Sequence, residues 1–158
     1  MSQRTALPKY EYRRRLPHYQ TSNRPIFITF RKLTHTPFSV EARSVVLQHC
    51  LYDDGKKYKL HAAVVMADHV HLLLTPLRDD QGWPFRVAEI LKLIKGISAR
   101  SVNRLLKASG PVWQDESFDH VLRSEESQEE KCEYIRQNPV RKGLVVKPED
   151  YRWLWLEK

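Results

Sequence analysis

The stretch from Ala63 to Leu74 (Ala-Val-Val-Met-Ala-Asp-His-Val-His-Leu-Leu-Leu) is an apolar run that reads as β-structure and is interrupted only around Asp68 and His69. Such a run has to lie inside the fold, so it fixes where the core sits before anything else is known. Ala67-Asp68 separates two β-like segments, Tyr58 to Met66 and His69 to Thr75. That spacing fits a tight hairpin, and one slightly bent strand is the competing reading. Side chains two apart on a strand project to the same face. His69 and His71 therefore point one way, close enough to share a metal ion. A His-x-His pair is a weak signal alone, because buried histidines are often simply hydrogen-bonded.

The rest of the chain supplies elements around this centre. Pro25 to Arg31 is β-branched and aromatic and reads as a first strand. Ser39 is placed to cap a helix from Val40, with Val45, Val46 and Leu47 as its apolar face and Asp53-Asp54-Gly55 as its end. Arg86 to Lys107 is helical in pattern, with Val87, Ile90, Leu91, Ile94, Ile97 and Leu105 on one stripe and Gly96 as a point of kinking or division. Val112-Trp113 and Phe118 to Leu122 read as short extended pieces. Ser127-Gln128-Glu129-Glu130 fits a capping box and starts a helix that Pro139 is expected to stop near Gln137. The order β-α-β-β-α-β plus a C-terminal helix predicts an α+β fold: a ferredoxin-like or RRM-like antiparallel sheet with helices on one face. The other face is left for a ligand or for the extra helix. Residues 1–23, basic and carrying Pro8 and Pro17, read as an N-terminal arm, and residues 24–158 as one domain.

Charge points to the partner class. The 158 residues carry a formal net charge of +8, which favours a polyanion, nucleic acid before membrane surface. The excess is concentrated in the arm and between Arg86 and Lys107, whereas Asp115 to Glu130 is acidic. The two cysteines are far apart in sequence and make no CxxC, which suits a reduced, cytoplasmic setting. No apolar run approaches the ~20 residues that a bilayer requires, and the N-terminus has no apolar signal core.

The C-terminal helix adds a second pair. In Glu133-Tyr134-Ile135-Arg136-Gln137-Asn138-Pro139, Tyr134 and Asn138 are four apart and share a face. In isolation Tyr134 reads as packing and Asn138 as a helix end.

Taken together, these motifs resemble the HUH single-tyrosine transposases (IS200-like), and within them the REP-associated tyrosine transposases, or RAYT proteins. The resemblance runs through Arg14-Arg15-Leu16-Pro17-His18-Tyr19-Gln20, Phe27-Ile28-Thr29-Phe30-Arg31, Val64 to Leu73, Lys95-Gly96, Val112-Trp113-Gln114, Ser117-Phe118-Asp119-His120 with Arg123, and Glu133 to Val145. Ala67-Asp68 stands where the family more often has Pro-Asn; aspartate also serves in turns. The resemblance implies that His69, His71 and Asn138 bind a divalent cation, Mg²⁺ or Mn²⁺, and that Tyr134 is the nucleophile. Tyr134 would attack a DNA phosphate and leave a 5′-phosphotyrosine and a free 3′-hydroxyl. No base is named by the pattern; Asp119 and His120 are candidates that read equally as structural residues.

The implied substrate is single-stranded DNA with REP-like hairpins, and the implied state is a monomer rather than a dimer, associated with the nucleoid. Arg13, Arg14, Arg15 and His18 in the arm, with Lys92, Lys95 and Arg100, are the candidate phosphate contacts. Tyr19, Tyr151, Trp153 and Trp155 are candidate stacking surfaces, and Trp113 and Trp153 also read as core or tail-docking residues. Two other functions fit the same chain: a non-catalytic RRM-like nucleic-acid-binding module, and a hydrolytic metal-dependent nuclease without covalent tyrosine chemistry.

Overall fold

The computed structural model describes residues 24–123 and 127–158. In chain order they form β1 (Ile26–Lys32), α1 (Val40–Tyr52), β2 (Tyr58–Val65), β3 (His69–Pro76), α2 (Val87–Leu106), β4 (Trp113–Val121), α3 (Gln128–Arg141), a 3₁₀ turn (Pro148–Asp150) and β5 (Leu154–Leu156). The sheet order is β4-β1-β3-β2-β5, with every neighbouring pair antiparallel. This is the expected ferredoxin-like sheet with a fifth strand, absent from the sequence reading, added outside β2.

The Ala67-Asp68 hairpin is closed by the Met66 amide donating to the His69 carbonyl at 2.8 Å. Its two turn carbonyls are also used. Asp68 O accepts from Lys32 N at 2.7 Å and Ala67 O from Phe38 N at 2.8 Å. The turn thus anchors the end of β1 and the entry to α1.

β3 lies between β1 and β2 and is buried from His69 to Leu74. Strand alternation divides it between two cores. Val70, Leu72 and Leu74 join Ile28, Phe30, Leu60 and Val65 under α1 and α2. Leu73 joins Phe27, Ala62 and Val64 under Ile135 of α3 on the opposite face. A register shift at His61 lets Leu60 and Ala62 enter different cores, although residues two apart normally share a face. Helices α1 and α2 therefore cover one face of the sheet, and α3 covers the other.

Several boundaries follow local chemistry. Ser39 Oγ accepts from Ala42 N at 3.1 Å and starts α1. Ser127 Oγ accepts from Glu129 N at 3.1 Å and Glu130 N at 3.3 Å and starts α3. Helix α2 runs through Gly96 undivided, and its buried stripe ends in Ser98 and Val102 rather than Ile97 and Leu105. The two extended pieces around residues 112–122 are one strand, β4, whose register to β1 shifts between Phe30 and Lys32.

Pro139 does not end α3. It lies in the last turn, and the helix continues to Arg141. The stop comes from Gly143, at φ +73°. Its amide donates to Val140 O at 2.9 Å, and the Leu144 amide donates to Pro139 O at 2.9 Å. These paired bonds are a Schellman cap. A Cβ on Gly143 would meet nothing within 4 Å, so Gly143→Ala should cost backbone strain alone. The expected loss is about 1–2 kcal/mol, read as a lower urea midpoint with an unchanged m-value.

Candidate functional site

The histidine pair sits on the face that α3 covers. Thr29 pairs with His71 across β1 and β3, and Arg31 pairs with His69. His69 and His71 are each 6% exposed, and their ring centroids are 4.8 Å apart. The Nδ1 atoms of both rings are already engaged. His69 Nδ1 donates to the Asp68 carboxylate at 2.7 Å, and His71 Nδ1 hydrogen-bonds the Thr29 hydroxyl at 2.7 Å. The Nε2 atoms are then the ring nitrogens that could hold a cation; the Asp68 carboxylate fixes the His69 tautomer for that role, whereas the Thr29 hydroxyl can donate or accept. Asp68, the residue that departs from the family's usual turn, is therefore the orienting carboxylate for His69.

Burial keeps both rings neutral, the form that binds metal. It pushes His71 down to about 3, with His69, Arg31, Arg141 and Lys142 adding repulsion. It lowers His69 as well, opposed by Asp68 and reinforced by Arg31 and Lys142. The hydrogen bond from His69 in turn holds the Asp68 carboxyl below its ordinary range.

Helix α3 brings the second pair to the first. The Tyr134 ring lies 5.9 Å from His71 and 5.8 Å from Phe27, edge-on to both, and Phe27 stacks on His71 at 5.3 Å. Asn138 is one turn on from Tyr134, and Lys142, whose charge reaches His69, is one turn further. Asn138 thus shares the helix face of Tyr134, whose ring is beside His71. It is 3% exposed, and its Oδ1 is buried with no hydrogen-bond partner among the described residues. A buried, unpaired amide oxygen costs stability unless something fills its coordination. An amide oxygen and imidazole nitrogens are donor types that could hold a divalent cation. No group of three His, Cys, Asp or Glu side chains is placed to hold a metal among the described residues.

Two cations flank the tyrosine. Arg141 lies over its ring, with Cζ 4.2 Å from the centroid, and donates from Nη2 to the Tyr134 carbonyl at 2.9 Å. Lys131 Nζ is 5.5 Å from the Tyr134 ring and 4.8 Å from the Phe27 ring. Neither cation was singled out from the sequence. Their helical positions, three residues before Tyr134 and seven after it, carried the signal.

Other expected contacts lie elsewhere. Arg13, Arg14, Arg15, His18 and Tyr19 fall outside the described residues. Lys92, Lys95 and Arg100 are on α2, across the sheet from Tyr134. Lys95 is spent as a strut, donating to Gln114 O at 2.7 Å, Asp115 O at 3.3 Å and Ser117 Oγ at 3.0 Å. Tyr151 is buried and donates to Val65 O at 2.7 Å, and Trp153 donates to Ser44 Oγ at 3.0 Å. Trp155 is in β5, opposite Ala63. Tyr151 and Trp153 are thus engaged in the fold, the tail-docking role also expected of Trp153, and Trp155 packs half-buried against the core under α1 and α2. Trp113 is core, as expected. Asp119 pairs with Ile28 and so belongs to the α1/α2 side, whereas His120 pairs with Phe27 on the tyrosine side.

An antiparallel sheet with a paired-histidine central strand facing a tyrosine helix sets a potential nucleophile beside imidazoles that could hold a cation. Residues 30–138, most of the chain, match the family described as "Transposase IS200 like". The chain belongs to that family and is accordingly an enzyme of DNA strand cleavage and transfer. A curated Haemophilus influenzae protein, whose name assigns it provisionally to the REP-associated tyrosine transposases, is 26% identical over 121 residues, covering 73% of this chain and 67% of its own length. A solved REP-associated tyrosine transposase bound to a REP hairpin superposes with a TM-score of 0.64 at 19% identity, covering 84% of this chain and 76% of the other. A bacterial tRNA(His) guanylyltransferase-like protein with ATP has a TM-score of 0.50 at 11% identity, covering 93% and 74%. It shares the fold alone, and fold does not carry function.

His71 should make folding pH-dependent. Its folded-state pKa is depressed, so the stabilisation is complete above about pH 6.5. It is lost as pH falls toward 3, where the unfolded chain takes up a proton that the folded chain refuses. In metal-free protein the expected loss is on the order of 4 kcal/mol over that window. The urea midpoint of the wild type should fall with pH more steeply than that of His71→Gln. Parallel slopes would contradict the assignment.

Proposed function

We propose that this chain is a REP-associated tyrosine transposase that nicks single-stranded DNA at REP-like hairpins and transfers the strand through a 5′-phosphotyrosine on Tyr134. The observation that carries this is the convergence of Tyr134 and His71 from elements more than sixty residues apart, rings 5.9 Å apart, with both histidine Nδ1 atoms engaged. A divalent cation, Mg²⁺ or Mn²⁺, fits His69, His71 and Asn138. When bound it would supply Lewis acidity and orientation at the scissile phosphate. Neutral imidazole and amide donors suit Mn²⁺ better than Mg²⁺, so abundance rather than affinity would favour Mg²⁺.

The chain's own residues divide the remaining work. Phe27, His71 and α3 hold the Tyr134 ring at one edge of the histidine pair, while its 43% exposure leaves it open to a DNA strand. Its phenolic oxygen attacks phosphorus, the P–O3′ bond breaks, and the 3′-oxygen leaves as a hydroxyl. The phosphotyrosine keeps the bond energy, so a second 3′-hydroxyl can displace Tyr134 and rejoin the strand. Arg141 and Lys131 offset the charge that gathers beside the ring. Arg13, Arg14, Arg15 and His18 are assigned to DNA contacts in the arm, and Lys92 and Arg100 at most to duplex passing the far side of the sheet. The histidines and the tyrosine meet within one chain, which supports a monomer. No helix among the described residues is long and apolar enough to cross a membrane. Action on DNA supports a cytoplasmic, nucleoid-associated reading.

Labelled hairpin DNA with a single-stranded flank and Mn²⁺ should give a denaturation-resistant protein–DNA adduct. Tyr134→Phe should lower its yield by ~10⁴-fold or more. Cleavage persisting in that variant would favour the hydrolytic nuclease. Chelation should stop cleavage, and Asn138→Ala should weaken Mn²⁺ binding, followed by electron paramagnetic resonance, by at least ~10-fold. Arg141→Ala should slow cleavage by about tenfold, with Arg141→Lys intermediate.

A further inference from the structure

The tyrosine face carries an aromatic pair that the cleavage chemistry does not use. Phe118 and His120 project from β4, the sheet's edge strand, on the same face as Phe27 and His71. Their rings are parallel within 3° at a centroid separation of 6.4 Å. Phe118 is 50% exposed, although burying its ring would be worth roughly 1.5–3 kcal/mol. It meets Phe27 edge-on at 6.3 Å, and Phe27 meets Tyr134 edge-on at 5.8 Å. The exposed aromatic is thus one ring removed from the nucleophile. The cations beside that ring, Lys131 and Arg141, supply charge complementary to a phosphodiester backbone. Aromatic faces set along a basic surface are how proteins hold unpaired bases, since every base has a π-face. A strand whose phosphate reaches Tyr134 must also place its neighbouring base somewhere, and β4 is the sheet edge that the ring reaches through Phe27.

We propose that Phe118, oriented by the parallel His120 ring, is the stacking platform for one unpaired base of single-stranded DNA next to the phosphate that reaches Tyr134. This rests on Tyr134 being the nucleophile. The test uses full-length Tyr134→Phe protein, in which binding is separated from chemistry, and a hairpin oligonucleotide whose single-stranded flank carries an abasic site at each position in turn. At one position the abasic site should weaken binding by about tenfold. Adding Phe118→Ala or Phe118→Leu should cost a similar factor on intact DNA and erase the abasic penalty at that position only. Phe118→Trp should retain both affinity and penalty. Leucine keeps apolar bulk without a ring, so it separates stacking from folding. An abasic penalty that persists unchanged in the alanine and leucine variants, or unchanged affinity on losing the ring, would overturn the platform while leaving the cleavage reading intact. Failure of the parent variant to bind any flanked hairpin would overturn both.

Discussion

The structure depends on β3 being buried on both faces. A strand covered on one side only would leave Leu73 and its neighbours Phe27, Ala62 and Val64 in water, so the sheet needs a second layer. Helix α3 provides it with few apolar residues, Ile135 being the fully buried one. That docking carries Tyr134 and Asn138 with it. Hydrophobic coverage and assembly of the site are therefore one event, and a cavity at Ile135 would loosen the tyrosine while leaving the histidines in place.

Burial also sets the chemistry. Two imidazoles in a dry layer lose the option of charge, and the Thr29 hydroxyl and Asp68 carboxylate take their Nδ1 atoms. What remains is a neutral donor pair on the face that α3 covers, a helix whose Asn138 oxygen is buried without a partner among the described residues. Positive charge lies around the tyrosine rather than on the histidines. The basic face of α2 lies behind the sheet and is partly consumed in holding β4.

Local signals in the sequence were legible where one residue's own chemistry decides. Ser39 and Ser127 start helices because each side chain accepts from amides two or three residues on. The Ala67-Asp68 hairpin, rather than a bent strand, follows from strand length and two intervening residues. Pro139 misled because a proline in a last turn removes only one amide donor, whereas the helix end was written in Gly143. The apparent break inside β4 misled because an edge strand with a register shift needs no continuous apolar pattern. Tyr151, Trp153 and Trp155 resembled a stacking surface because aromatic composition does not say which face a tail returns to.

The sequence by itself determined that His69 and His71 share a face and that Tyr134 and Asn138 share another, because these are the periods of a strand and a helix. It also carried the resemblance to the family, in ordered motifs from Arg14 to Val145. Only the tertiary structure decided that Tyr134 meets His71. It put Asp119 on the wrong side for a base, removed Lys95 from the set of free cations, and brought Arg141, Lys131 and Phe118 to the tyrosine. Those outcomes depend on strand order and on which face α3 covers, and both are settled by burial of surface from the whole chain rather than by any local preference.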